Sequence, residues 1–317
     1  MSERTRTHVT QTIDCAAPFD FALSGYILAD GDPHIAKYDG TAYRQVLRIG
    51  GKLLLATVAS VGSVDSPQLR AAFTSDSPLT DHDVTEAHAV ISSVFNARLD
   101  VKPFYEAIRN DPVMADLSSK LRGLKHPATA TIFQALFDSI IEQQISLNVA
   151  HVLQRRVVKA FGDVLVVDGS KYYAFPTPEQ MARASIDSLR RCGLSRRKAE
   201  YITGIAACVA AQALDLERLR QCEETQMILD RLCSLRGVGL WTAELTIIRG
   251  LSRLDVFPAD DLGLRRWVAH YYCSEQTITS AQARGIAEQW GKWKGLAGYY
   301  LVVAGLLNIA TKARNAT

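Results

Sequence analysis

The stretch from Ile228 to Leu245 reads ILDRLCSLRGVGLWTAEL, and its pattern guides the interpretation of the whole chain. Apolar residues recur at the spacing of one helical face before the two glycines, and a second stripe follows them. Gly237 and Gly239 flank Val238 between the stripes, which predicts a helix, a tight hairpin and a second helix. The missing side chains let a partner approach the backbone, and the N–H groups that open the second helix suit a phosphate.

The hairpin alone leaves a structural alternative open. Gly237 would then be a helix C-cap and Gly239 a turn residue. Three nearby basic residues favour the phosphate interpretation, because non-specific binding of a nucleic-acid backbone uses basic and backbone donors rather than base-reading side chains. They are Arg236, Arg249 and Arg253.

A pair of acids follows the hairpin in the sequence DVFPADDLGLRRW, residues 255–267. Pro258 ends any preceding helix, and the two acids open the next one. If Asp260 caps that helix, Asp261 falls in its first turn, where the helix dipole favours the ionised form. A carboxylate held there stabilises developing positive charge, as in the oxocarbenium-like transition state of a sugar. The alternative is that both aspartates only cap the helix.

The 317 residues divide into two parts with different charge and pattern. Residues 1–112 carry 10 Lys and Arg against 14 Asp and Glu, whereas residues 113–317 carry 26 against 19. Alternating residues over 37–58 predict a strand meander. A helix is expected at about 81–98, because Thr80 and Asp83 have the spacing of a capping box at its start. From about residue 103, nearly every segment predicts helix.

These patterns predict an α+β, predominantly α fold. A small N-terminal antiparallel sheet domain is expected over residues 1–112, and a pair of helical domains over 113–317. The helix–hairpin–helix falls at about 224–250 and the aspartate loop at 255–267. One long run of helical apolar periodicity extends from Ile132 through Phe161, and a well-specified helix start is expected at Thr177. Later helices are expected at about 196–212, 215–220, 224–235, 240–250, 261–272, 280–289 and 296–311.

The composition excludes several classes of protein. With 48% apolar and 22% charged residues, the chain has the composition of an ordinary globular protein. The six cysteines form no CxxC pair, which argues against a zinc site, an iron–sulfur loop or a disulfide framework. No segment approaches the roughly 20 apolar residues of a membrane-spanning helix, and the N-terminus resembles no signal peptide. We therefore expect a cytoplasmic protein without membrane partners.

Five segments in order resemble the DNA glycosylase superfamily, and within it the bacterial 3-methyladenine DNA glycosylases of the AlkA type. The two segments quoted above carry most of the resemblance, which extends over most of the chain. The other three are IIEQQIS (140–146), FPTPEQMA (175–182) and GLSRRKAEYI (193–202). The resemblance implies an enzyme that flips a damaged nucleotide out of double-stranded DNA and cuts its N-glycosidic bond.

The family's functional residues fall on matching positions of this sequence. Asp261 matches the catalytic aspartate, and Gln144 matches the residue that enters the gap left by the flipped nucleotide. The hairpin that grips the DNA backbone corresponds to Gly237, Val238 and Gly239, with Arg236 beside it. Arg265, Arg266, Lys292 and Lys294 are weaker candidates for DNA contacts, the alternative being a solvated charged face.

Trp241 stands where glycosylases that also cleave the backbone have a lysine, so the resemblance implies a monofunctional hydrolase with no cofactor for catalysis. Packing in the core is the alternative for this side chain. The family also has a monovalent cation site at the hairpin, Na⁺ or K⁺, held by backbone carbonyls. The matching carbonyls are those of Cys233, Leu235 and Val238.

The last helix departs from the family pattern. Val302 stands where many relatives have a tryptophan that stacks on the flipped base, and Tyr299 or Tyr300 is the candidate substitute. The expected activity is excision of alkylated purines, of the 3-methyladenine and 7-methylguanine type, in base excision repair by a monomer. The alternatives are an oxidised-purine glycosylase and lyase, and a non-catalytic helix–hairpin–helix protein that binds DNA.

Overall fold

The computed structural model describes residues 7–311, which begin with a five-stranded antiparallel sheet. Its strand order is β1-β5-β4-β3-β2, so the meander expected over 37–58 is confirmed. Glycines with positive φ make its two turns, Gly40 in the first and Gly50 and Gly51 in the second. The strands are β1 (Thr7–Asp14), β2 (Ala36–Tyr38), β3 (Ala42–Ile49), β4 (Lys52–Ser60) and β5 (Gln68–Ser75).

One face of this sheet is covered by helix α2 (Asp81–Val94), which begins at the predicted capping box. The hydroxyl of Thr80 accepts from the backbone N–H of Asp83, and the Asp83 carboxylate accepts from the backbone N–H of Thr80. Lys52 of β4 contacts the same carboxylate at 2.6 Å. The cap therefore also fixes the helix on the sheet.

The rest of the described chain is mainly helical, which confirms the predicted α+β, predominantly α fold. The division at residue 112 stays a prediction. No helix within residues 7–311 has the length and apolar character needed to cross a membrane. The remaining helices are α1 (Phe21–Tyr26), α3 (Lys102–Ala107), α4 (Pro112–Lys120), α5 (Ile132–Glu142), α6 (Leu147–Phe161), α7 (Pro178–Arg183), α8 (Ile186–Arg191), α9 (Arg196–Ala210), α10 (Thr225–Cys233), α11 (Leu240–Leu251), α12 (Leu262–Tyr272), α13 (Ser280–Ala287) and α14 (Lys294–Leu306), with 3-10 turns at Glu217–Gln221 and Glu288–Trp293.

Two local expectations were wrong. The run from Ile132 through Phe161 is two helices, because the chain turns at Gln143–Ser146 and Gln144 takes a positive φ of 58°. A β-hairpin interrupts the helical part, with strands β6 (Val164–Val167) and β7 (Ser170–Tyr173). Its apolar side chains pack on Val46 and Leu55 of the sheet, so a tertiary contact stabilises this short hairpin.

The helices form two apolar cores with a cleft along their border. One core contains α5, α6, α9, α10 and α11. The other brings residues 101–124 together with α12, α13 and α14. The N-termini of α11 and α12 both reach the cleft, and the C-terminus of α5 lies on its wall.

Helices α5 and α11 approach each other closely at Gly250. A Cβ at this position would lie 3.0 Å from the Cβ of Ala135 and 3.2 Å from the Cα of Ile132. Both helices carry residues that line the cleft, so the packing between them fixes the relative positions of those residues.

We expect Gly250→Val to destabilise the protein by about 1–3 kcal/mol, because the added groups meet atoms of α5 that are already packed. The matched control is Gly285→Ala in exposed helix α13, where a Cβ meets nothing within 4 Å. That change should stabilise by about 0.5–1 kcal/mol through the unfolded chain. Urea unfolding of both variants measures the difference, and equal effects would contradict the packing argument.

Candidate active site

The hairpin between α10 and α11 has the predicted form, and its two glycines have different roles. Gly237 has φ +88°, and a Cβ there would lie 2.2 Å from the ring of Tyr201, so both backbone and space require glycine. Gly239 has φ −95°, which any residue adopts, and a Cβ there would meet nothing within 4 Å. Val238 is buried in the helical core and anchors the hairpin. The surface at Gly239 is therefore open to a close approach.

The first turn of α11 receives no hydrogen bond from a capping side chain at Gly239. Its N–H groups and the positive end of the helix dipole are thus available to an anion. Arg236 is largely exposed beside the hairpin, although its guanidinium lies 3.3 Å from the carboxylate of Glu200. This end of the hairpin is suited to a phosphate.

The turn after α5 is tied to the hairpin. The amide of Gln143 donates to the carbonyl of Gly237 at 2.9 Å and to the hydroxyl of Thr242 at 3.0 Å. Lys198 donates to the carbonyls of Ile141 and Gln143, which lie at the C-terminus of α5. Gln144 itself is exposed at the mouth of the cleft with positive φ. Its position depends on contacts made by its neighbour.

Asp261, and not Asp260, is the N-cap of α12, which corrects the order expected from the sequence. One carboxylate oxygen, Oδ1, accepts from the backbone N–H of Leu264 at 2.8 Å. The other, Oδ2, accepts from the indole Nε1 of Trp241 at 3.1 Å. Both oxygens are thus fixed by donors, and the group lines the cleft. Asp260 is exposed.

The cleft has a volume of about 1150 Å³. Trp241, Tyr299 and Val302 supply apolar surface to its wall, and the ring of His126 meets that of Tyr299 edge to face at 4.4 Å. Two polar atoms beside it are buried and have no hydrogen-bond partner among the protein atoms of residues 7–311: Nδ1 of His126 and the hydroxyl of Tyr299. Unsatisfied buried groups are concentrated here.

Tyr300 does not line the cleft, so its assignment to the base pocket is wrong. The ring is fully buried, and its hydroxyl donates to the carbonyl of Leu124 at 2.9 Å and lies 3.1 Å from the hydroxyl of Tyr105. Helix α14 is apolar on most of its faces, so the sequence could not tell which of the adjacent tyrosines faces the core. Tyr299 lies on the cleft side.

Several predicted DNA contacts have partners within the protein. Arg249 pairs with Glu142 at 2.7 Å, and Arg253 donates to the carbonyls of Glu223 and Cys222, so neither is a phosphate ligand in this arrangement. Lys294 pairs with Glu288. Among the other weaker candidates, Arg265 donates to Ser280, whereas Arg266 and Lys292 are exposed and lie over tryptophan rings.

The charged groups of the cleft include residues that the sequence analysis did not single out. Burial opposes the charge of Arg249, but the Glu142 carboxylate outweighs it and raises the pKa of the guanidinium. Burial and the Arg249 charge lower the pKa of His126 to about 3, so its ring is neutral. Asp138 lies one turn before Glu142 on α5, and burial together with the Glu142 charge raises its pKa to about 8. Two acids four residues apart on an otherwise apolar helix are the signal that could have indicated them.

The described residues contain no group of three His, Cys, Asp or Glu side chains arranged to hold a metal ion. The proposed cation ligands at the hairpin are backbone carbonyls. Helix α10 ends at Cys233, so the carbonyls of Cys233 and Leu235 lie at its negative end, where a cation is favoured. The Leu235 carbonyl also accepts from Val238 N–H at 3.1 Å.

Comparison with known proteins agrees with this geometry. Residues 137–292 match the family described as HhH-GPD superfamily base excision DNA repair protein. The DNA-3-methyladenine glycosylase of Bacillus subtilis is 29% identical over 278 residues, which cover 87% of this chain and 90% of that protein. The structure of the 3-methyladenine DNA glycosylase from Archaeoglobus fulgidus superposes with a TM-score of 0.82 at 26% identity, covering 95% of this chain and 100% of that one.

The chain therefore belongs to the HhH-GPD superfamily of base excision DNA repair proteins, and its activity class is DNA N-glycosylase. The fold alone is shared more widely. The 8-oxoguanine glycosylase/lyase of Clostridium acetobutylicum, solved with double-stranded DNA, superposes with a TM-score of 0.72 at 17% identity, covering 95% of this chain and 99% of that one. The type of lesion must be argued from the residues of the site.

The two adjacent tyrosines should respond oppositely to loss of the hydroxyl. Tyr299→Phe removes a buried hydroxyl without a protein partner, so we expect Tm to stay the same or rise. Tyr300→Phe leaves the Leu124 carbonyl without its donor and removes the bond between the Tyr300 and Tyr105 hydroxyls, so it should destabilise by about 1–3 kcal/mol. Thermal unfolding followed by circular dichroism measures both. Equal destabilisation by the two changes would refute the placement of Tyr299 on the cleft.

Proposed function

We propose that this protein is a monofunctional glycosylase that flips and hydrolytically excises alkylated purines, of the 3-methyladenine and 7-methylguanine type, from double-stranded DNA. The observation that best supports this proposal is the carboxylate of Asp261, which the Trp241 indole and the Leu264 amide hold on the wall of a large cleft. The names of the relatives, which are 3-methyladenine glycosylases, support the choice of lesion.

The DNA backbone would bind at the hairpin, where Gly239 leaves the surface open and the first N–H groups of α11 point outward. Gln144 would enter the gap left by the extruded nucleotide. The hydrogen bonds of Gln143 to the hairpin carbonyl and to Thr242 link these two contacts, so backbone binding and insertion would occur in a fixed relation.

Alkylation at N3 or N7 gives a purine a positive charge, which makes it a good leaving group. Its positive face would be attracted to the rings of Trp241 and Tyr299 on the cleft wall. As the glycosidic bond breaks, the sugar becomes cationic, and the fixed charge of Asp261 stabilises it without reorganisation. A water molecule then adds to the sugar, which leaves an abasic site and a free base.

The alternatives are less well supported. A lyase forms a Schiff base with a primary amine, but Trp241 offers none and no lysine lines the cleft among residues 7–311. A non-catalytic DNA-binding protein would not need a carboxylate oriented by two donors beside an aromatic pocket. We also propose that the protein acts as a monomer without a catalytic cofactor, and that the carbonyls of Cys233, Leu235 and Val238 hold a structural Na⁺ or K⁺ when DNA is bound.

Asp261→Asn should lower excision by about 10² or more, because a neutral amide cannot stabilise the cationic sugar. Asparagine also caps helices, so the fold should persist. The measurement is release of labelled 3-methyladenine and 7-methylguanine from methylated duplex DNA. The matched control is Asp260→Asn at the exposed neighbour, which should excise at a rate within about twofold of wild type. Full activity of Asp261→Asn would refute the assignment, and borohydride trapping of a covalent complex would identify a lyase.

Gly239→Ala should weaken DNA binding without changing the stability of the fold. Its φ is compatible with alanine and the added Cβ meets no protein atom, so we expect an unchanged Tm but affinity for DNA about tenfold weaker. Gly237→Ala, with positive φ and the Tyr201 ring in the way, should lower Tm. Fluorescence anisotropy with an abasic-site duplex gives the affinity. Wild-type affinity of Gly239→Ala would argue against backbone binding at this surface.

A further inference from the structure

A second cavity lies next to the cleft and shares the residue Leu262 with it. It has a volume of about 530 Å³ and follows one face of α12, where Leu262, Arg265, Arg266 and His270 recur at helical spacing. The segment after α12 supplies further lining residues, among them Glu275. The function proposed above assigns no role to this cavity.

The two arginines bring positive charge to the second cavity. Arg265 donates to the hydroxyl of Ser280 at 2.9 Å, and the guanidinium of Arg266 lies 5.4 Å from the centre of the Trp267 ring. Within the described part of the chain, the recorded partners of both arginines are therefore uncharged. A guanidinium whose charge is not taken up by a carboxylate is well suited to a phosphate diester.

The other groups of the cavity leave this charge in place and restrict the position of one arginine. The acid Glu275 lies 3.3 Å from the ring of His270, so one carboxylate stands against two guanidinium groups. The Trp267 ring packs against the backbone of α14 at Gly305, where a Cβ would overlap it. Because the ring is fixed by this packing, it supports the Arg266 guanidinium at the edge of the cavity.

The position and length of the second cavity suit a DNA strand that leaves the cleft. Leu262 directly follows Asp261 and is 75% exposed, and its apolar side chain can pack on a sugar or a base. His270 is eight residues further along α12, so the cavity extends about 12 Å at 1.5 Å per residue. A base pair advances a duplex by about 3.4 Å, so this length corresponds to about three base pairs.

We propose that the second cavity is a further binding site for the DNA backbone, in which Arg265 and Arg266 each contact a phosphate about two to four base pairs from the flipped nucleotide. The inference rests on the proposed function, since it requires the damaged nucleotide to lie at the cleft. The duplex is then held at the hairpin and along α12, two surfaces that the hydrogen bond between Trp241 and Asp261 joins. Contacts of this kind do not depend on the base sequence.

The first test measures binding to duplexes that carry a central abasic site, by fluorescence anisotropy. Each arm of the duplex is shortened separately from about ten base pairs to about two, so that it no longer reaches along α12. The variant combines Arg265→Gln with Arg266→Gln. For one of the two arms, shortening should weaken wild-type binding about tenfold more than it weakens binding of this double variant, because the variant has already lost the phosphate contacts.

The second test measures how binding of the full-length duplex depends on salt. Each phosphate contact contributes about 0.9 to the slope of log affinity against log salt, so the slope of the double variant should be shallower by about 1.8. Raising the salt from 50 to 200 mM should therefore weaken wild-type binding about tenfold more than binding of the variant. Arg98→Gln is the matched control, because Arg98 is exposed and lines neither cavity, and it should keep the wild-type slope.

Arg266→Gln alone is the second variant, because this exposed side chain can be replaced without loss of the hydrogen bond to Ser280. Its slope should be shallower by about 0.9, which keeps the test decisive if circular dichroism shows the double variant to be unfolded. The inference is overturned if the folded variants keep the wild-type slope, or if Arg98→Gln lowers the slope as much as they do. Binding needs no chemistry, so wild type that shows the expected slopes but releases no alkylated purine would contradict only the proposed function.

Discussion

The hydrogen bond from the Trp241 indole to the Asp261 carboxylate is the interaction on which the site depends. Trp241 is the second residue of α11, directly after the hairpin, and Asp261 is the N-cap of α12. The bond therefore joins the element suited to a DNA backbone with the group suited to the sugar. A phosphate seated on the hairpin would lie in a fixed relation to the carboxylate, which is what electrostatic preorganisation requires.

Hydrogen bonds from the turn after α5 also stabilise this arrangement of hairpin and carboxylate. Gln143 donates to both the Gly237 carbonyl and Thr242, so the turn that carries Gln144 is attached to both sides of the hairpin. The close contact at Gly250 keeps α5 and α11 at a short distance along their length. The candidate wedge, hairpin and carboxylate thus lie on short turns next to helix ends, and the packed helices hold those turns in place.

The features that could be predicted from the sequence are those that depend on residues close together along the chain. The capping boxes at Thr80 and Thr177 and the helix–hairpin–helix all arise within a few residues, and the structure has each of them. The sequence could not show whether Asp260 or Asp261 is the cap, because both residues are aspartates and either can cap a helix. The turn after Pro258 decides which of them does so. Nor could the sequence divide the run from Ile132 to Phe161, whose break at Gln144 is stabilised by contacts from Lys198 and the hairpin.

Three residues of the cleft, of which only Tyr299 was predicted from the sequence, share a physical character, since each is unfavourable for folding where it stands. Asp138 is an acid against an apolar wall, and His126 and Tyr299 each bury a polar atom without a protein partner. Asp138 binds a proton more tightly in the folded chain than in the unfolded one, so its contribution to stability falls as pH rises from about 4 to about 8. Selection for folding alone would replace such groups, and their concentration in the cleft that Asp261 also lines is therefore best explained by chemistry performed there.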